Sequence, residues 1–94
     1  MKILALEKEL KSGTEYNRKL LKIEAMKVLE LYEEGFIREI YFDKNNHSAV
    51  IIIECRDEEE ARAVLDSLPL VKEGLITFKI ISLIPYNGFS RLSE

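Results

Sequence analysis

The stretch Phe36-Ile37-Arg38-Glu39-Ile40-Tyr41-Phe42-Asp43-Lys44-Asn45-Asn46-His47-Ser48-Ala49-Val50-Ile51-Ile52-Ile53-Glu54-Cys55 decides the architecture. Two runs rich in β-branched and aromatic residues flank a polar break, which is the pattern of a hairpin. Asparagine tolerates positive φ, so Asn45-Asn46 is read as a two-residue turn. That register pairs Arg38 with Ile53, Glu39 with Ile52 and Tyr41 with Val50. One face then carries Phe36, Arg38, Ile40, Phe42, Ala49, Ile51, Ile53 and Cys55. The other carries Ile37, Glu39, Tyr41, Val50, Ile52 and Glu54. A slip of one residue exchanges the faces, so everything said about the charged positions depends on this pairing.

Outward from the hairpin, residues 2–8 read as a first strand and Ile76 to Ile84 as a last one. Tyr16 to Glu34 reads as a helix, with Leu21, Ala25, Val28 and Tyr32 as its apolar stripe and Leu20, Met26, Leu29 and Leu31 widening it. Ser12 with Glu15 has capping-box spacing, Thr14 is a second N-cap candidate, and Gly35 ends the helix. Asp57 with Glu60 opens a second helix whose buried stripe is Ala61, Val64, Leu65 and Leu68, stopped by Pro69. Leu70 to Leu75 reads as a connection and Pro85-Tyr86-Asn87-Gly88-Phe89 as the start of an irregular tail. The order βαββαβ implies an α+β, ferredoxin-like fold: a four-stranded antiparallel sheet with two helices on one face. The sheet's other face keeps large apolar side chains, so a second copy facing it, sheet to sheet in a dimeric α+β barrel, is expected.

Ninety-four residues, 47% apolar and 33% charged, suit a single soluble domain spanning 1–94. The 14 basic and 17 acidic residues leave a net charge of −3, with no basic concentration able to track a phosphate backbone, so nucleic acid is disfavoured as a partner. The apolar run at Met1 to Leu6 stops at Glu7, too short for a signal or a membrane span. One cysteine, Cys55, and one histidine, His47, supply neither an internal disulfide nor a metal set. The expectations are a cytoplasmic protein, no membrane partner, no metal and no cofactor.

Chemistry is sought first at Glu39 and Glu54. The register places them one diagonal step apart on one face, about 7–8 Å at Cα, which suits a general acid and base of split pKa. The competing reading is two strand charges at a wet edge. Arg38 is a candidate for holding a substrate carboxylate, with an edge or interface ion pair to Glu54 or Glu7 as its alternative. Tyr41 is a candidate donor to a substrate oxygen. His47 is the one histidine available to any mechanism that needs one. Tyr86 lies on a tail read either as closing over a pocket or as pinned by its own aromatics. Arg38 falls on the face opposite the two glutamates, so a site shared by all three needs a bulge, another register or a second chain.

Gly35-Phe36-Ile37-Arg38, the Leu68-Pro69-Leu70 step and Pro85 after the last strand resemble the muconolactone isomerase family. The resemblance covers most of the chain. It implies the dimeric α+β barrel fold, homo-oligomers, and cofactor-free proton movement within a small lactone that carries a carboxylate, with Arg38 at the family's arginine in the second strand. The family's tryptophan, arginine, histidine run is Ile37, Arg38, Glu39 here, and Tyr41 stands where a second tryptophan would be. The function expected is therefore isomerase-like proton transfer on a small carbonyl or lactone anion. The alternative is a non-catalytic small-molecule-binding or structural homo-oligomer of the same fold.

Overall fold

A computed structural model describes residues 1–11 and 16–93. The hairpin forms one side of a four-stranded antiparallel sheet of order β2-β3-β1-β4, with β1 at Lys2–Glu9, β2 at Ile37–Phe42, β3 at Ala49–Glu54 and β4 at Ile76–Leu83. Helix α1 spans Arg18–Glu33 and α2 spans Glu58–Asp66. The chain has the α+β, ferredoxin-like arrangement implied by the order of its elements.

The hairpin differs from expectation at both ends. Its turn is longer than Asn45-Asn46: Asp43 and Ser48 close it, the His47 amide donates to the Asp43 carbonyl, and the Asp43 carboxylate accepts from the amides of Asn45 and Asn46. His47, not an asparagine, takes the left-handed conformation, at φ 56°. At the other end Ile37 pairs with Ile53 and Glu39 with Ile52, so Arg38 is the extra residue of a β-bulge and does not pair with Ile53. The bulge turns Ile37 inward, where it is buried. Glu39 with Ile52 and Tyr41 with Val50 pair as expected.

One face of the sheet holds the core. Ile3 and Ala5, Ala49, Ile51 and Ile53, and Ile76 and Phe78 meet Ala61, Val64, Leu65 and Leu68 from the second helix and its end. Burying one such aliphatic side chain contributes roughly 1.5–3 kcal/mol, so this layer sets which face the helices cover. Leu4, Leu6, Val50 and Ile52 are half-exposed on the opposite face.

Helix boundaries follow local chemistry. Asn17 caps α1, accepting from the Leu20 amide at 2.7 Å, so the helix begins after Tyr16; Ser12, Thr14 and Glu15 lie outside the described residues. Gly35, at φ 89°, closes α1 with its amide on Tyr32 and the Phe36 amide on the Leu31 carbonyl, the paired bonds of a Schellman cap. Asp57 caps α2 through the Glu60 amide, as expected. The segment read as a plain connection contains a short helix, α3, at Pro69–Lys72. Pro69 both bars extension of α2 and opens α3, where its missing N–H costs nothing. Gly74 ends α3 with the same bond pair as Gly35. The tail is not irregular throughout: Gly88–Ser93 forms a 3-10 turn, and Tyr86 meets Phe89 edge to face at 4.9 Å.

Candidate functional site

Helix α1 does not bury the stripe its spacing suggests. Leu31 is its one buried residue, while Leu21 and Tyr32 are 42% and 54% exposed. The helix stands off the sheet, and a cavity of about 620 Å³ lies beneath it. Its walls are Leu21, Ala25 and Val28 of α1, Ala49 and Ile51 of β3, Ile76 and Phe78 of β4, and Leu68 and Leu70 at α3. The small side chains of Ala25 and Ala49 leave the room that larger residues would fill.

Two carboxyls interrupt this apolar lining. Glu7 follows Ile3 and Ala5 on the inward side of β1, and Glu24 sits between Leu20 and Val28 on the sheet side of α1. Each is held by one backbone bond. The Ala49 amide donates to Glu7 Oε1 at 3.0 Å, and the Leu70 amide donates to Glu24 Oε1 at 2.9 Å. The second bond has a clear cause: α3 begins without a side-chain cap, so one of its unpaired first-turn amides takes its acceptor from α1. Burial raises the Glu24 pKa from its ordinary value; the Leu70 bond opposes this and the nearby charge of Glu7 adds to it. The Tyr16 phenol, also on the wall, is raised by burial and by Glu7 and Glu9. Two carboxyls in one apolar cavity, one of them with a raised pKa, are an arrangement suited to an acid–base pair.

The residues singled out from sequence are distributed unevenly around this cavity. His47 and Tyr41 border it; the His47 ring stacks on Phe42 with centroids 4.0 Å apart. Tyr41 donates to Glu39 Oε1 at 2.7 Å, which raises the pKa of its phenol. Glu39 itself is exposed and does not border the cavity, nor does Glu54, whose carboxylate lies 3.5 Å from the Met1 amine. Arg38 is exposed on its bulge, where Nε donates to the Gly35 carbonyl at 2.8 Å, and it makes no ion pair among the described residues. Tyr86 is exposed on the tail, its ring over Gly88. Glu7, Glu24 and Tyr16 were not singled out. The signal was nonetheless present: Glu24 breaks the stripe Leu20, Val28, Leu31, and Glu7 breaks the alternation Ile3, Ala5.

Among the described residues no group of histidine, cysteine and acidic side chains is arranged to hold a metal, and no helix is long and apolar enough to cross a membrane.

No protein-family profile matches the sequence, and no curated protein matches it either. Solved structures do. Muconolactone isomerase superposes with a TM-score of 0.78 at 16% identity, over 93% of this chain and 92% of that one. The 5-chloro-2-hydroxyhydroquinone dehydrochlorinase of Burkholderia phenoliruptrix AC1100, in complex with 2,5-dihydroxybenzoquinone, superposes with a TM-score of 0.63 at 15% identity, over 94% and 98%. Likeness at this identity is likeness of fold, and the chain has the fold of muconolactone isomerase, as its sequence resemblance implied.

Proposed function

We propose that this protein is a small-molecule enzyme of isomerase type, moving a proton within a compound bound between α1 and the sheet. The observation that carries the reading is the pairing of Glu7 and Glu24 in an otherwise apolar cavity, with Glu24 biased toward its protonated form. A space of several hundred Å³ with few polar groups is the usual form of a small-molecule site. Glu7, as carboxylate, takes a proton from a carbon beside a carbonyl. Glu24 donates its own to the far end of the resulting enolate, and proton exchange with solvent restores the pair. The dehydrochlorinase of the same fold holds a quinone ring, an object of suitable size. His47 stands at the border as a candidate for polarising the substrate, while the Tyr41 phenol is engaged by Glu39 on the sheet's other face. Arg38, Glu39, Glu54 and Tyr86 lie outside the cavity and have no part in this reading.

The test is solvent deuterium incorporation into a panel of cyclic enones, diketones and lactones. Glu24→Gln keeps an oxygen for the Leu70 amide while removing the proton, so the fold is expected to persist and incorporation to fall by about 10²–10⁴-fold. Incorporation at the parental rate in Glu24→Gln overturns the acid–base assignment. A second reading, non-catalytic binding, is favoured by one observation: both carboxyls already cap backbone amides. No incorporation by the parent across the panel supports it.

We also propose that the protein works as a homo-oligomer. Among the described residues no element covers the sheet face carrying Leu4, Leu6, Val50 and Ile52, and the tail places Ile84, Tyr86, Phe89 and Leu92 in solvent. The radius of gyration, 15.4 Å, exceeds the roughly 12 Å of a compact chain this long. A native mass spectrum is expected to show a dimer or a larger ring, and a monomer at micromolar concentration overturns the proposal.

A further inference from the structure

Charge at the cavity narrows what it can hold, and does so against the expectation of an anionic ligand. Among the described residues the ionisable side chains on the wall are Glu7, Glu24, Tyr16, Tyr41 and His47, with no lysine or arginine. Arg38, the cation on which anion binding rested, is turned to the Gly35 carbonyl. Among the described residues the second oxygens of Glu7 and Glu24 have no hydrogen-bond partner, so each remains able to accept. A ligand carboxylate entering here meets two acids in surroundings of reduced dielectric and finds no fixed countercharge. A ligand carrying hydrogen-bond donors meets the Glu7 carboxylate as a strong acceptor and the free Glu24 oxygen beside it, and its ring meets Val28, Ile51 and Phe78.

We propose that the cavity takes a ring-sized molecule that presents hydroxyl or ammonium donors and carries no negative charge, and that it excludes carboxylates. The inference rests on the cavity being the ligand site, but not on any reaction occurring there. It makes Glu7 and Glu24 specificity-determining residues as well as the acid–base pair. The shared chemistry is donation to a carboxylate, available from a phenolic diol or from an amine.

The experiment is an amide NMR titration of the whole chain with three probes of one size: resorcinol, benzylamine and benzoate. The amides of Ala49 and Leu70, which bond the two carboxyl groups, report on the site. Expected at neutral pH is saturable movement of both amides with resorcinol or benzylamine, and at least about tenfold weaker binding of benzoate. The preferred donor separates the two sources: resorcinol ahead indicates a diol, benzylamine ahead an amine. Glu7→Gln is expected to narrow the gap between benzoate and the donors, because it removes the carboxylate charge that repels benzoate. Benzoate binding as tightly as either donor overturns the charge rule and leaves the cavity reading standing. Failure of all three probes to move these amides overturns both.

Discussion

Helix α2 presses Ala61, Val64 and Leu65 into the sheet, each nearly inaccessible, while α1 buries Leu31 alone and leaves Leu21, Met26 and Leu29 substantially exposed. Both helices are amphipathic. They differ in what stands between helix and sheet. Under α2 the aliphatic side chains meet directly. Under α1 the facing positions include Glu24 on the helix and Glu7 on the strand, and two carboxyls cannot close against each other without losing solvation. The cavity lies in this half of the layer, between α1 and the sheet, with both carboxyls on its wall. Stability and the candidate site are thus divided between the two halves of the same layer.

The sharpest way to break this comparison is a matched pair of truncations. Leu65→Ala removes a fully buried side chain from the closed half and is expected to cost about 2–5 kcal/mol. Leu21→Ala removes cavity wall from the open half, where the side chain is already partly solvated, and is expected to cost roughly 1 kcal/mol or less. Urea unfolding of both variants measures this. Equal losses would show α1 to be as tightly seated as α2.

A smaller effect sharpens the comparison through pH. Glu24 has a folded pKa above its unfolded value, so its favourable contribution is full below the unfolded value and disappears as pH rises through the folded one. Asp43 and Asp57 have lowered values, set chiefly by backbone amides, and act in the opposite direction as pH falls. Glu24→Gln is therefore expected to melt no lower than the parent at neutral pH and to lose any advantage in acid, where the parent's Glu24 is already neutral. Thermal melts across pH 3.5–8 check it. A variant less stable than the parent at neutral pH means that the ionised carboxylate supports the fold.

Much of the fold was legible because it rests on periodicity. The inward positions Ala61, Val64 and Leu65, the Gly35 stop and the Asp57 cap each depend on residues within a turn or two, and each is found as read. The hairpin was harder. The choice between a turn at Asn45-Asn46 and the longer loop ending in a left-handed His47 depends on the Asp43 carboxylate capturing two amides, a side-chain event that alternation does not encode. The site was harder still. Glu39 and Glu54 drew attention because they are conspicuous within apolar strands, yet the register puts them on the face away from the helices. Glu7 and Glu24 lie 17 positions apart on different elements and come together only on the wall of the folded cavity. An acidic residue interrupting an inward stripe on each of two packed elements was the available signal.

Arg38 has a consequence for how this strand counts its residues. Because Ile37 pairs with Ile53 and Glu39 with Ile52, the ladder passes over Arg38 as though it were absent. A chain lacking that position would keep both pairings and every inward and outward assignment on either side of it. The arginine is thus the one residue of β2 whose presence the sheet does not require. Its side chain is free to vary in identity, or to be lost with its backbone, without shifting the frame in which Ile40 and Phe42 reach the cavity.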